Sequence, residues 1–211
     1  MTTIFFHNFK APFPNEKWAF YLEQMPVDIQ NRIGRYFKEE NKYQLLIGRL
    51  LLRAGMLHLG YKMFDLAHLF YDEFNCPKWK ADIQFNIAHS GNVVACAFSQ
   101  TTQIGLDIER IRPIQLKDFG HILNAIDYEQ LQNASSSKDA FFKIWTIKEA
   151  ITKAIGKGLA IDVKEIEIYD EFAYLDQQKW YYYPINLKDG YAGHIVSNEP
   201  IVKLSLKEMQ F

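Results

Sequence analysis

The sequence predicts an α+β fold, in which runs of strands and runs of helices share an apolar core. Residues 83–88 and 104–109 alternate large apolar side chains with polar or small ones, as half-buried strands do. Residues 28–59 and 139–155 instead repeat apolar side chains with helical spacing. The chain has 211 residues, of which 48% are hydrophobic and 15% aromatic. This length and composition suffice for one domain or for two small, closely packed halves.

Charge, cysteine usage and hydropathy argue against several classes of protein. The formal net charge of -1 disfavours a general nucleic-acid binder. Cys76 and Cys96 lack the spacing of zinc or redox motifs, so both are expected to be reduced packing residues. No apolar run approaches the length of a membrane span, and Met1–Phe13 lacks the regions of a signal peptide. We therefore expect a soluble cytoplasmic protein that binds neither nucleic acid nor a membrane.

The first part of the chain is expected to contain one strand and several helices. Thr3–Phe9 is typical of a strand, and a short helix is expected around Trp18–Gln24. Residues 28–59 predict two helices or one bent helix. Basic residues outnumber acidic ones over residues 31–53, which suits either an ordinary solvated helix face or a phosphate-rich ligand. These basic residues are Arg32, Arg35, Lys38, Lys42, Arg49 and Arg53.

A hairpin follows the loop-rich region after Gly60. Ile83–Ala88 and Val93–Phe98 predict its two strands, and a polar turn that begins with His89 and Ser90 separates them. His89 is either an ordinary surface residue or, together with Ser90 and the turn amides, a ligand of a phosphate oxygen. Only a short turn separates the hairpin from the next strand, so the two are expected to be sheet neighbours.

Residues 104–109 carry the main functional hypothesis. Strand alternation places the three aliphatic residues in the core and Gly105, Asp107 and Glu109 on the opposite face. The two acids then lie about 7 Å apart along the strand, with no side chain at Gly105 to crowd them. Such a pair is either two ordinary solvated acids or part of a site for a hard divalent cation such as Mg²⁺.

A helix is predicted from about Asp139 to Ile155, and glycines end it. Its core face is aliphatic. Glu149 and Lys153 lie on a different face, with Phe142 and Trp145. This second face is either an ordinary helix surface with one ion pair between residues i and i+4, or one wall of a functional site. In the second case Glu149 adds a third carboxylate to the two on the preceding strand.

The remaining elements predict a helix and further strands. The helix is expected over Ile122–Leu131, and the strands are expected to complete the second half of the fold. The predicted strands are Val163–Ile168, Trp180–Tyr183, His194–Ser197 and Ile201–Leu206.

The motifs occur in the order and spacing of a known family. Together they resemble the 4′-phosphopantetheinyl transferases, and they look most like the Sfp-type branch. The helix Gln44–Arg53 also resembles the coenzyme-side helix of that family. The matching stretches are Phe85–Gly91, Ile104–Glu109, Trp145–Lys153 and Gly156–Leu159.

The resemblance implies an activity and a set of site residues. The reaction is transfer of the phosphopantetheine arm of coenzyme A to a carrier-protein serine, with release of adenosine 3′,5′-bisphosphate. Asp107, Glu109 and Glu149 would bind Mg²⁺, with Mn²⁺ as an alternative. Glu149 would also take the serine proton, and Lys153 would offset developing negative charge, so Asp107, Glu149 and Lys153 form the implied catalytic set. Lys148 would either orient the acids or contact phosphate. The implied contacts to coenzyme A are His89, Ser90, Arg32, Arg35, Arg49, Arg53, Lys148 and Lys153.

The resemblance also implies the architecture of the chain. We expect a pseudo-dimeric monomer with two similar α+β halves, the 4′-phosphopantetheinyl transferase fold. Residues 1–103 would form the N-terminal half on the coenzyme A side, and residues 104–211 would form the metal-binding and catalytic half.

The partner implied by the resemblance is an apo acyl, peptidyl or aryl carrier protein. Arg110–Phe119 combines basic and apolar residues, which suits an acidic carrier, although an ordinary loop would have the same composition. Two positions depart from the family pattern. Asn75-Cys76-Pro77 stands where the family often has Gly-Lys-Pro, and Ala88 stands where it often has serine.

Two other functions are compatible with the same residues. A Mg²⁺-dependent pyrophosphatase of a nucleotide or coenzyme A would use the same three acids but pass the phosphoryl group to water. A non-catalytic module that binds carrier proteins would retain the fold of the transferases without their activity. The intact set of Asp107, Glu109, Glu149 and Lys153 argues against the second alternative.

Overall fold

The computed structural model describes residues 1–10, 13–74, 76–80 and 82–211, and these ranges form an α+β fold as predicted. The five α-helices of the described residues are Asn15–Glu23 (α1), Val27–Gly34 (α2), Glu39–His58 (α3), Ala125–Asn133 (α4) and Ser137–Ile155 (α5). Their eleven strands are Thr2–Asn8 (β1), Phe70–Tyr71 (β2), Pro77–Lys78 (β3), Gln84–Ser90 (β4), Val93–Ser99 (β5), Ile104–Arg110 (β6), Glu167–Ile168 (β7), Phe172–Leu175 (β8), Gln178–Pro184 (β9), Tyr191–Ser197 (β10) and Leu204–Glu208 (β11).

Two sheets organise the molecule, and each is covered by one long helix. The first sheet has the strand order β11-β1-β5-β4, and the second has the order β6-β10-β9-β8-β7. The 20-residue helix α3 packs on the first sheet and the 19-residue helix α5 packs on the second. The chain therefore consists of two α+β halves of similar construction.

The core has three parts that follow these layers. One part lies between α3 and the first sheet, where Phe5, Leu50 and Phe98 are buried. A second part lies between α5 and the second sheet. The third joins the two sheets directly, since Ala95 of β5 and Leu106 of β6 belong to the same buried cluster. The helices thus form the outer layers and the sheets form the inner ones.

The strand pairing corrects two expectations. The hairpin of β4 and β5 is expected to be a sheet neighbour of β6, but β6 is an edge strand of the other sheet. The second correction concerns the last strand. Ile201–Leu206 was expected to complete the second half, but β11 pairs in parallel with β1, with Leu204 opposite Thr2. It therefore extends the first sheet. Short-range alternation predicts a strand but not its partner, which lies about two hundred residues away along the chain. The division at residue 103 into two halves stays a proposal.

The helices follow their predicted positions, and residues 28–59 form two helices. Arg35 ends α2, and the extended backbone of Lys38 precedes α3. Helix α5 ends at Gly156, whose φ of +79° is a left-handed conformation that glycine adopts at little cost. None of the helices in the described ranges is long and apolar enough to cross a membrane.

Candidate active site

Strand β6 has the two faces that its sequence predicts. Leu106 and Ile108 are buried in the cluster between the sheets. Gly105, Asp107 and Glu109 therefore point to the opposite side, where helix α5 lies. The acidic face of the strand is thus directed at the one helix that carries Glu149 and Lys153.

Gly105 sets the distance between β6 and α5. A Cβ atom at this position would lie 1.8 Å from the carbonyl oxygen of Ala150 and 2.7 Å from the amide nitrogen of Ala154. Such separations are far inside van der Waals contact, so only glycine lets the backbone of the helix approach the strand this closely. The glycine therefore serves helix packing more than it relieves crowding of the two acids.

Asp107 and Lys153 form the central ion pair of the site. Lys153 Nζ donates to Asp107 Oδ1 at 2.6 Å, and Asp107 is only 4% exposed. Its second oxygen, Oδ2, is buried and has no hydrogen-bond partner among the described residues. Burial raises the pKa of Asp107 to about 7, against the opposing effect of Lys153.

Glu109 and Glu149 lie close enough to this pair for their charges to act on both of its members, which makes a group of three carboxylates and one lysine. Both are half-buried, and Ser90 Oγ donates to Glu109 Oε2 at 2.9 Å. Burial raises the pKa of Glu149, and the charge of Glu109 adds to the effect. Burial alone would lower the pKa of Lys153, but the charges of Asp107, Glu149 and Glu109 raise it above its usual value. The lysine therefore stays positive among acids that are close enough to influence one another.

The donor set fits a hard divalent cation. Within the described ranges, no three His, Cys, Asp or Glu side chains already stand at metal-binding spacing. The buried Oδ2 of Asp107 is nevertheless an acceptor without a donor, and burying such an atom is costly unless a partner arrives. The neighbouring ligands are carboxylate oxygens, which Mg²⁺ prefers. The residues are therefore compatible with a Mg²⁺ site, and the metal remains a proposal.

A cavity of about 330 Å³ opens beside Lys153, where α3, β4 and α5 meet. The structure brings four of the predicted phosphate contacts to its wall: Arg32, Arg49, His89 and Lys153. Backbone and side chains from both halves of the molecule contribute to the lining. The cavity is thus lined by cations from both halves, and Lys153 connects it to Asp107 of the acidic group.

Arg49 is the most enclosed of these cations. It is 5% exposed, and its terminal nitrogen Nη2 donates to the hydroxyl of Tyr71 at 3.2 Å. Its Nε atom is buried without a partner in the described part of the chain. Arg32 lies over the ring of the same tyrosine, 5.3 Å from its centroid. Tyr71 therefore orients two arginines, a role that no sequence motif indicated.

His89 lies on the cavity wall at the end of β4. Desolvation, together with the positive charges of Lys153 and Arg49, lowers the pKa of His89 below its usual value. The neutral ring can still donate one N–H to an anion. Ser90, by contrast, is engaged between the halves, because its Oγ bonds Glu109 and accepts the amide N–H of Arg110 at 3.0 Å. In this structure it supports an acid rather than lining the cavity.

Asn86 is a second residue that the sequence did not single out. Its Oδ1 accepts the amide N–H of Leu106 at 3.1 Å, and its Nδ2 lies 3.5 Å from the carbonyl oxygen of Lys153. One side chain of β4 thereby ties β6 to α5 at the cavity. A polar residue in the middle of an otherwise half-buried strand is the signal that could have revealed it.

Three predicted contacts lie away from the cavity. Arg35 is exposed at the end of α2, and Arg53 donates to the side chain of Gln24 at 2.8 Å. Lys148 is fully buried, and its Nζ donates to Asp127 Oδ2 at 2.5 Å and to the carbonyl oxygen of Ile122 at 3.0 Å. The expected phosphate contact of Lys148 is therefore wrong in this structure, because its side chain points to α4 and not to the cavity.

One of the two departures from the family pattern reaches this cavity, at Cys76 and Pro77, whereas Ala88 is buried in the cluster between the sheets. Cys76 lines it, with Sγ 3.5 Å from the carbonyl oxygen of Gly156, and burial raises the pKa of its thiol. Lys78 is on the same wall and forms a long ion pair of 3.8 Å with Asp72. Asn75 lies outside the described residues. Lys78 is therefore the cation nearest in sequence to the missing family lysine.

His194 is buried behind the site, opposite Asp107 in the pairing of β10 with β6. Its Nδ1 is hydrogen-bonded to Thr146 Oγ1 of α5 at 2.7 Å, and its ring meets the edge of Tyr182. Burial lowers the pKa of His194 to about 3, and the charge of Lys143 adds to this effect. The neutral imidazole therefore fastens α5 to the second sheet.

This buried histidine should make the protein less stable in mild acid. An unfolded histidine takes up its proton near pH 6.5, whereas the folded ring does so only near pH 3. Between these values the unfolded state binds more protons, so the free energy of unfolding falls as the pH falls, by at most about 1.4 kcal/mol per pH unit. Urea unfolding measured from pH 7 to pH 4 should show that the free energy of unfolding falls less steeply in His194→Gln than in the parent protein. Parallel pH profiles for the two proteins would contradict the assignment.

Comparison with known proteins gives consistent matches. The sequence model of the 4′-phosphopantetheinyl transferase superfamily matches residues 103–192. The 4′-phosphopantetheinyl transferase gsp of Aneurinibacillus migulanus is 35% identical over 161 residues, which cover 74% of this chain and 68% of that protein. HetI of Nostoc sp. is 32% identical over 177 residues, with 72% of each chain covered. Sfp of Bacillus subtilis is 26% identical over 163 residues, covering 74% of this chain and 71% of Sfp.

Proposed function

The chain belongs to the family of the 4′-phosphopantetheinyl transferases, and from this membership we propose that it moves the phosphopantetheine arm of coenzyme A to a serine of an apo carrier protein in a Mg²⁺-dependent reaction. It is an enzyme of this transferase type. One observation supports the detailed proposal most strongly. The cavity that Arg32, Arg49 and His89 line is also lined by Lys153, which is paired with Asp107, and the charges of two further acids act on Asp107.

The cavity is the proposed site of the coenzyme. A pyrophosphate carries several negative charges, and arginine matches phosphate oxygens with paired donors. Arg49 and Arg32 both line the wall, and Tyr71 holds them near each other through a hydrogen bond to Arg49 and a ring contact with Arg32. His89 adds a neutral N–H donor. Arg35 and Arg53 lie outside this wall, so we assign them no contact with the coenzyme.

The acids are the proposed holders of the metal. Asp107, Glu109 and Glu149 would bind Mg²⁺, or Mn²⁺ in its place, and the cation would neutralise charge on the pyrophosphate when bound. Glu149 accepts the proton of the carrier serine, since a hydroxyl is a weak nucleophile until a base takes its proton. Lys153 stays positive among the acids and stabilises the charge that develops on the transferred phosphoryl oxygens. Adenosine 3′,5′-bisphosphate is the leaving group.

Arg110–Phe119 is the proposed docking segment for the carrier. It begins directly after Glu109, and Arg112, Pro113 and Lys117 are exposed along it. A carrier bound there would present its serine beside the three acids. We propose an apo acyl, peptidyl or aryl carrier protein as this partner and a monomer as the active form.

Intact-mass spectrometry tests the reaction and its metal requirement together. An apo carrier protein incubated with this protein, coenzyme A and Mg²⁺ should gain the mass of one phosphopantetheine, and EDTA should prevent the gain. Cleavage of coenzyme A without a gain on any carrier would instead identify a hydrolase. If neither occurs with any of several carriers, the transferase proposal fails and a binding module remains.

Replacing Arg49 by methionine should weaken coenzyme A binding without stopping catalysis. Methionine keeps most of the buried volume, but the charge-assisted hydrogen bonds are lost, at a cost of about 1.5–3 kcal/mol, or roughly ten- to a hundredfold in KM for coenzyme A. Steady-state kinetics with saturating carrier would measure the change. Arg35→Met is the matched control, because Arg35 is exposed and outside the cavity wall. Equal effects of the two substitutions would contradict the assignment.

A further inference from the structure

The ion pair between Lys148 and Asp127 is the one fully buried ion pair of the described residues. Both side chains are 0% exposed, and the nitrogen and oxygen are 2.5 Å apart. Removing two charges from water is expensive, and an apolar pair of similar volume is often at least as stable. Stability alone therefore does not explain why an ion pair occupies this position. The segments that the pair connects provide a better explanation.

Asp127 holds the start of helix α4. The same oxygen that bonds Lys148 also accepts the amide N–H of Asn124 at 2.8 Å, while Asn124 Oδ1 accepts the amide N–H of Asp127 at 2.9 Å. This reciprocal arrangement is a capping box. The Asn124 side chain also donates to the carbonyl oxygens of Lys164 and Ile166, at 3.0 Å each. Residue 124 is therefore held from several sides.

Residues 110–124, which we call the strap, connect β6 to α4. At its first end, the amide of Arg110 donates to Ser90 Oγ, and the amide of Ile111 donates to the carbonyl oxygen of Gly190 at 2.8 Å. In its middle, the ring of Phe119 packs on that of Phe141 in α5, with centroids 4.6 Å apart. Its far end is the capped residue 124. The strap thus crosses α5 between Glu109 and α4.

Lys148 connects the strap to α5, the helix that carries Glu149. The lysine precedes Glu149 directly in α5 and points to a different side of the helix, where its Nζ donates to Asp127 and to the strap carbonyl of Ile122. We propose that the Asp127–Lys148 ion pair is a positioning device that holds the strap in register with the Glu149 turn of α5, so that a carrier docked on the strap places its serine at Glu149. This inference rests on the proposed function.

The double variant Asp127→Asn/Lys148→Met breaks this connection with little other change. Asparagine keeps the shape and one oxygen for the amide of Asn124, and methionine keeps a long side chain without leaving one charge buried alone. We expect the KM for the carrier to rise about tenfold, or about 1.4 kcal/mol, while the KM for coenzyme A stays within about twofold of the parent value. Hydrogen exchange should accelerate in residues 110–124 and stay unchanged in α3.

Two further variants separate positioning from general loss of stability. Phe119→Ala removes the contact of the strap with Phe141 outside the ion pair, and it should also raise the carrier KM selectively. Ile29→Val removes one methyl group from the core under α3 and should alter neither KM. The measurement uses a carrier that the parent protein modifies, so failure of the parent itself would reject the proposed function and not this inference.

The inference is overturned if the parent transfers normally and both Asp127→Asn/Lys148→Met and Phe119→Ala keep its carrier KM. It is also overturned if the double variant raises the two KM values equally, since that would indicate a general disturbance of α5. A double variant that does not fold leaves the decision to Phe119→Ala, where an unchanged carrier KM would reject the positioning role.

Discussion

Replacing Glu149 by glutamine should abolish transfer to the carrier protein while leaving the protein folded. Glutamine has nearly the same volume, so the half-buried position on α5 is filled as before. It cannot accept the serine proton, and it is a poorer ligand for Mg²⁺ than a carboxylate. Loss of a general base alone costs about 10²- to 10⁴-fold in rate. Intact-mass assays of carrier modification would measure the loss, with thermal unfolding as the check on folding.

Glu129→Gln provides the matched control for this experiment. Glu129 is an exposed acid of the neighbouring helix α4, so the same chemical change there should leave both turnover and thermal stability at parent values. If Glu149→Gln turned over at a near-normal rate, Glu149 would be neither base nor essential ligand. If it failed to unfold cooperatively, the charge would instead be part of the packing of α5.

The local features of the site could be predicted because strand and helix periods determine which residues share a face. The period of two places Asp107 and Glu109 together on β6, away from the buried Leu106. The helical spacing places Glu149 and Lys153 on adjacent turns of one face of α5. Neither period predicts that Lys153 of α5 forms its ion pair with Asp107 of β6 and not with Glu149, its neighbour in the same helix. That choice depends on how closely strand and helix approach.

Other parts of the site depend on contacts between distant segments. Tyr71 orients Arg32 and Arg49, although β2 lies in the irregular region between α3 and the hairpin. Basic residues near one another in the sequence also separate, because α2 and α3 are two helices and Arg53 faces Gln24 instead of the cavity. Lys148 pairs with an acid about twenty residues earlier in the chain. A charge pattern along one helix therefore indicates a cationic region without saying which cations reach the ligand.

Gly105→Ala should be among the most damaging single substitutions in the chain. The new methyl group would lie 1.8 Å from the carbonyl oxygen of Ala150, and a backbone atom cannot move aside as the end of a flexible side chain can. Overpacking of this kind costs about 1–3 kcal/mol and occasionally more, and the backbone contact here places Gly105 at the upper end. We expect the free energy of unfolding to fall by about 3 kcal/mol or more, measured by urea unfolding.

Catalysis should suffer beyond this loss of stability, because relief of the clash requires α5 to move away from β6. Glu149 and Lys153 would then separate from Asp107, and the ion pair of 2.6 Å would lengthen. Transfer should therefore stay low even at a temperature where the variant is folded. Gly34→Ala is the control, since a Cβ there meets nothing within 4 Å. A Gly105→Ala protein with parent stability and turnover would show that strand and helix are not held together by this close approach, and that the alignment of the acids has another origin.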